Sequence, residues 1–147
     1  MTKKLSGSLE DYLEAIFNLV AANDVARSKD IADLLGVSKP SVTGALKQLS
    51  RKKLVSYKPY GYVTLTEAGI FEAERIVRKH RAIESFFVDV LHVDSKVAEE
   101  AACRAEHALG PEVISRLVEF NRFVNNVSPG SKSSVADKFR RFQRRSR

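Results

Sequence analysis

Cysteine is nearly absent: Cys103 is the only one in 147 residues. A lone thiol cannot close an internal disulfide, which excludes a disulfide scaffold and makes a reducing, cytoplasmic setting the expectation. Long apolar runs are missing too, and none approaches the roughly 20 residues that a bilayer-crossing helix needs. Met1-Thr2-Lys3-Lys4 leads straight into a charged amphipathic stretch, with no signal-peptide core. There is no internal repeat, no Gly-rich phosphate loop, no His-Glu-x-x-His, no Cys-x-x-Cys and no nucleophile elbow. Catalysis therefore has no foothold, and neither a membrane nor a small-molecule substrate is expected as partner. What remains is 44% hydrophobic and 29% charged. That is enough for one domain or two small ones, and it excludes collagen and wholesale disorder.

Acidic residues are scarce in two stretches and abundant between them. Residues 1–66 hold ten Lys/Arg against six Asp/Glu, a net +4. Residues 67–130 hold eight against eleven, a net −3, and residues 131–147 hold seven against one, a net +6. A basic first part, an acidic middle and a basic tail are expected when one region meets a polyanion and another has a different task.

Periodicity locates these regions in a fold. Leu9, Tyr12, Leu13, Ile16, Phe17 and Val20 recur at helical spacing, ending near Asn23-Asp24. Val25-Ala26-Arg27 reads as a short strand. Ser28 reads as the cap of a helix carrying Ile31, Leu34 and Leu35, which Gly36 stops. Ser38 is an N-cap with Pro40 in the first turn, opening a helix that buries Val42, Leu46 and Leu49 and ends at Arg51-Lys52-Lys53. Helix, glycine turn, helix is the helix-turn-helix pattern. Leu54–Lys58 and Tyr62–Leu65 follow as β-prone runs around Pro59-Tyr60-Gly61, the hairpin of a wing. Thr66 to Gly69 caps a long helix over about 67–91. Helices near 95–109 and 111–126 follow, parted by Gly110-Pro111, with a linker at Ser128-Pro129-Gly130-Ser131. The fold expected is mainly α. A winged helix-turn-helix with a small β-hairpin wing (1–66) precedes an all-helical domain (67–127) and a basic tail (128–147).

The second helix of the motif fits a major groove about 12 Å wide. The candidate DNA-contacting set is Arg27, Ser38, Lys39, Pro40, Ser41, Thr43, Lys47, Gln48, Tyr57 and Lys58, with Tyr60 and Arg51–Lys53 as further backbone contacts. Cys103, Glu106 and His107 stand at i, i+3 and i+4, one helical face carrying thiolate, carboxylate and imidazole. Asp11 and Glu14 are spaced by three, His80 and Glu84 by four, and Glu99 precedes Cys103 by one turn. One divalent metal drawing ligands from three helices accounts for the pattern. Solvated helix faces at Asp11/Glu14 and His80, and a small core residue at Cys103, are the more ordinary account of the same residues.

Six segments together carry a likeness: Glu10-Asp11-Tyr12-Leu13-Glu14-Ala15-Ile16, Asp30-Ile31-Ala32-Asp33-Leu34-Leu35-Gly36-Val37-Ser38, Pro40-Ser41-Val42-Thr43, Val63-Thr64-Leu65-Thr66, Arg78-Lys79-His80-Arg81 and Cys103-Arg104-Ala105-Glu106-His107. Over about residues 8–125 they resemble the diphtheria-toxin-repressor family of metal-dependent transcriptional regulators, in its short form without an SH3-like domain. The resemblance implies a homodimer that binds a palindromic double-stranded DNA operator at metal-transport genes, with a divalent metal as corepressor. It implies metal ligands at Asp11, Glu14, His80, Cys103, Glu106 and His107, and additional-site ligands at Glu84 and Glu99. Cys103 resembles the iron-responsive branch, whereas Asp11 and Glu14 resemble the manganese-responsive one. A thiolate disfavours Mn(II) relative to Fe(II), Co(II) or Zn(II), while carboxylates favour it. Fe(II) is the expected corepressor, Mn(II) the next, with Zn(II) or Co(II) able to substitute in vitro.

The expected switch is neutralisation of carboxylate repulsion, tying the first helix to the 95–109 helix and setting the two recognition helices about 34 Å apart. A constitutive winged-helix DNA binder is the alternative. The apolar residues Ile83, Phe86, Phe87, Leu91, Val113, Ile114 and Leu117 form either the dimer interface or the monomer core. The tail, with Phe139 and Phe142 among its cations, reads as a polyanion-binding arm, a membrane-surface segment or a solubilising extension.

Overall fold

A computed structural model describes residues 4–58, 61–126 and 134–146. It divides into two compact units, Met1–Val77 and Arg78–Arg147. The first begins with α1 (Gly7–Asn23), where the Ser6 hydroxyl accepts the Leu9 N–H (3.3 Å) and Asp24 ends the helix in a left-handed conformation. Leu9, Tyr12, Leu13 and Ile16, three and four residues apart, form its buried stripe. α2 (Ser28–Leu35) ends at Gly36, whose φ of +64° favours a residue without a Cβ. Ser28 is the first helical residue rather than the cap; Arg27 holds the cap position without a side-chain hydrogen bond.

α3 (Lys39–Arg51) starts as expected, with the Ser38 hydroxyl accepting the Ser41 N–H at 3.3 Å. Val42, Ala45, Leu46 and Leu49 are buried. The wing is an antiparallel pair, β1 (Val55–Tyr57) and β2 (Val63–Leu65), registered Val55 to Leu65 and Tyr57 to Val63. Ala26 adds a third rung, exchanging hydrogen bonds with Val63 at 3.0 and 2.8 Å. Pro59 and Tyr60 of the wing turn, and the linker at 128–131, lie outside the described residues.

One core gathers α1, α2, α3 and the hairpin, with Leu13, Ile16, Ile31, Val42, Leu46, Leu49 and Val63 at its centre. Thr66 locks the start of α4 (Glu67–Ser85) to this core. Its hydroxyl donates toward the Lys53 and Leu54 carbonyls (2.7 and 3.1 Å) and accepts the Gly69 N–H (3.0 Å). A Cβ on Gly69 would overlap the Leu54 carbonyl, so only glycine fits that approach.

The second unit starts within α4, which is shorter than its apolar pattern implies. After Ser85 the chain widens into a π-helical segment, Phe86–Val90, closed by the Leu91 N–H on the Phe86 carbonyl (3.2 Å). His92 then turns left-handed (φ 58°), and Asp94 caps α5 (Ser95–Ala105) by accepting the Lys96 and Val97 N–H groups. α5 also ends early. Ala108 and Leu109 both return their N–H groups to the Ala105 carbonyl, so the last stretch before Gly110 is an irregular turn.

α6 (Pro111–Asn126) packs through Val124 and the buried Asn121, whose amide donates to the Ala82 carbonyl at 2.8 Å. Phe86 meets Phe120 edge-on at 6.0 Å. The tail forms a helix, α7 (Val135–Arg145), with Ser134 as its side-chain cap. No helix among the described residues is long and apolar enough to cross a membrane.

Candidate nucleic-acid interface and metal centre

The Ser38 cap and the buried Val42-Ala45-Leu46-Leu49 stripe fix the face that α3 turns outward. On it stand Lys39, Pro40, Ser41, Gly44, Lys47 and Gln48, all exposed, while Thr43 is half-buried and donates to the Lys39 carbonyl (3.1 Å). The Ser38 and Ser41 hydroxyls share a 2.8 Å hydrogen bond. Arg27 is exposed beside the hairpin, its guanidinium carbon 5.3 Å from the Tyr62 ring centroid in a cation–π contact. Tyr57 is half-buried and Lys58 exposed.

Two residues of this surface escape a reading of sequence alone. Gly44 sits mid-face with nothing within 4 Å of a would-be Cβ; its only sequence signal is a glycine inside a helical pattern. Tyr62 steers Arg27, a pairing that the sequence separation hides.

Charge is also managed beneath the surface. Glu10 of α1 is buried, and Arg75 of α4 lies 3.6 Å from it. Glu72 grips the same guanidinium through two hydrogen bonds (3.1 and 2.6 Å). That grip raises the Arg75 pKa above its ordinary value, against the lowering effect of burial, with further help from the Glu72 and Glu10 charges.

Asp11 and Glu14 sit one turn apart on one face of α1 in the first unit, both half-buried. The second unit draws four candidate ligands together. Glu106 is fully buried, at 0% exposure. His80 of α4 donates its Nδ1 hydrogen to Glu106 Oε2 at 2.7 Å, which turns its Nε2 side toward Glu84 (3.8 Å). His107 Nε2 lies 3.5 Å from Glu106 Oε1. That oxygen makes no hydrogen bond among the described residues. Cys103 and Glu99 occupy exposed positions on α5.

A carboxylate removed from water with one oxygen unsatisfied is costly unless positive charge meets it. Two imidazoles and a carboxylate also form a nitrogen–oxygen donor set suited to divalent first-row metals. The residues present therefore fit such an ion.

Two family models cover nearly the whole chain. Residues 4–63 match the iron-dependent repressor N-terminal DNA-binding domain, and residues 66–132 match the iron-dependent repressor metal-binding and dimerisation domain. The chain belongs to the iron-dependent repressor family.

Among relatives of this repressor, an uncharacterised HTH-type transcriptional regulator of Methanocaldococcus jannaschii is 43% identical over 117 residues, covering 79% of the chain and 94% of that protein. The HTH-type transcriptional regulator MntR of Listeria welshimeri is 33% identical over 119 residues, covering 81% and 83%. The crystal structure of T. acidophilum IdeR superposes with a TM-score of 0.69 at 30% identity. It covers 80% of this chain, which spans only 55% of that longer one. The winged helix-turn-helix followed by a helical domain is thus the architecture of a metal-dependent transcriptional repressor family. The helices and wing described above are its DNA-binding domain.

Proposed function

We propose that this chain is a cytoplasmic, non-catalytic repressor that senses Fe(II), or Mn(II) next, and controls metal-uptake genes. In this reading two copies bind one palindromic operator. Residues 1–66 contact DNA, 67–127 hold metal and the dimer interface, and 128–147 form the basic tail.

The metal set is Asp11, Glu14, His80, Cys103, Glu106 and His107, with Glu84 and Glu99 serving an additional site. The observation carrying this reading is the buried Glu106 carboxylate flanked by His80 and His107, within the segment that matches a metal-binding domain. A bound divalent cation would supply positive charge among these carboxylates. His80 orients Glu106 through its Nδ1 hydrogen bond. Asp11 and Glu14 add the negative charge of α1, so that metal bound by the full set would bear on the DNA-binding unit.

The DNA-contacting set is Arg27, Ser38, Lys39, Pro40, Ser41, Thr43, Lys47, Gln48, Tyr57 and Lys58, joined by Gly44. The dimer face centres on α6, where Val113 and Phe123 stay about half exposed. Phe86, Phe87, Leu91, Ile114 and Leu117 are partly covered, whereas Ile83 is buried in the core of its own chain.

The test is anaerobic titration with Fe(II) and Mn(II), read by calorimetry and thermal melting, on the wild type and on Glu106→Gln. Stoichiometric binding with a raised Tm, abolished in the variant, supports the proposal. No binding by the wild type would reduce the chain to a constitutive winged-helix DNA binder.

A further inference from the structure

We infer that α7 is a second DNA-backbone contact, a cationic arm held in place by His92. The inference rests on the DNA-binding function of the family and extends the DNA surface beyond the winged helix.

One side of α7 is fastened down. His92 Nε2 donates to the Ala136 carbonyl (2.9 Å), and the His92 ring stacks on Phe139 with centroids 6.4 Å apart. Arg140 donates to His92 Nδ1 (3.1 Å), and the Gln143 amide reaches the Leu91 carbonyl (3.5 Å). Residues 136, 139, 140 and 143 are one helical face, so Lys138, Arg141 and Arg145 fall on the other, with Arg144 at its edge. All four cations are exposed.

That outer face is poorly built for water alone. Arg141 and Arg145 are four apart, as are Arg140 and Arg144, and like charges at this spacing repel. A solvated helix normally interleaves acids. The one acid here, Asp137, is engaged at the N-terminus, accepting the Ser134 hydroxyl at 2.6 Å. Two cations in the last turn favour the helix dipole, but that does not account for Lys138 or Arg141.

A polyanion relieves the repulsion. Lys138 to Arg145 spans about 10 Å at 1.5 Å rise per residue, close to the axial rise of three nucleotide steps of one strand at roughly 3.4 Å each. Guanidinium groups predominate, and they grip phosphate oxygens in pairs. A lipid surface fits less well, because a membrane-lying helix needs an apolar face. Here Ala136 and Phe139 are spent on docking and Val135 is half-buried, leaving Phe142, at 64% exposure, as the one exposed apolar side chain of α7.

The test replaces Lys138, Arg141 and Arg145 together by Gln in the full chain, with circular dichroism and melting to verify the fold. Binding to a mixed-sequence 40-base-pair duplex is measured against KCl concentration. Removing one phosphate-neutralising cation flattens the log–log slope by about 0.9, so the slope should fall by about 2 to 3 and affinity at 150 mM salt at least tenfold. The Fe(II)-induced change in affinity should persist in the variant. An unchanged slope overturns the inference while leaving the regulator reading intact. So does an unchanged slope combined with loss of co-sedimentation on phosphatidylserine vesicles, which would assign the face to lipid. A wild type that binds neither this duplex nor one carrying its own promoter region, with or without Fe(II), overturns both.

Discussion

Gly44 faces solvent in the middle of the recognition helix, where glycine costs roughly 0.5–1 kcal/mol relative to alanine and no neighbour forbids a side chain. Stability alone would have placed alanine there. Gly44→Ala should raise the Tm by a few degrees and weaken duplex binding, read by melting and fluorescence anisotropy; equal affinity would show that the face tolerates bulk. Gly69 is the opposite case. Its missing Cβ lets α4 sit against the Leu54 carbonyl, so Gly69→Ala forces backbone movement and should destabilise the DNA-binding unit by about 1–3 kcal/mol in urea unfolding. Glu106 is a third kind of residue, a buried charge kept at a cost to stability. Glu106→Gln keeps the volume and removes the charge, so without metal its Tm should equal or exceed that of the wild type, and added Fe(II) should no longer raise it. A metal-free variant that melts well below the wild type would mark Glu106 as purely structural.

At the scale of elements, docking contacts decide what local pattern does not. α7 has few apolar residues and a self-repelling face, and its anchor His92 lies 44 residues before Ala136. His92→Ala should accelerate hydrogen exchange throughout α7 and leave α1–α3 unchanged, whereas unchanged α7 exchange would mean the docking contacts contribute little. The same distinction separates what the sequence showed from what it hid. α3 was legible because a capping serine and a 3–4 apolar stripe agree within one segment, and α1 because of its stripe, although its cap, Ser6, went unread. The end of α4 was not, because the π segment at Phe86–Val90 preserves an apolar pattern that reads as continuous α-helix. The early end of α5 was hidden for a related reason: Glu106 still donates its N–H to the Ala102 carbonyl, and the ladder departs from the helix only at Ala108, which returns to Ala105.

At the scale of the molecule, a basic winged helix-turn-helix and a helical unit with a buried carboxylate–imidazole centre lie on one chain, in the order of the iron-dependent repressor domains. Residue types at helical spacing were enough to nominate His80 with Glu84, and Glu106 with His107. The 2.7 Å pairing of His80 with Glu106 spans 26 positions and depends on tertiary packing. So does the full burial of Glu106. The central claim is that metal binding at the second of these features controls the DNA affinity of the first. The most direct measurement is anaerobic titration of the chain onto a duplex carrying its own promoter region, with Fe(II) and then with chelator. Coupling of ordinary size predicts about 5- to 150-fold tighter binding with the ion, and equal affinity in the two conditions would contradict the account.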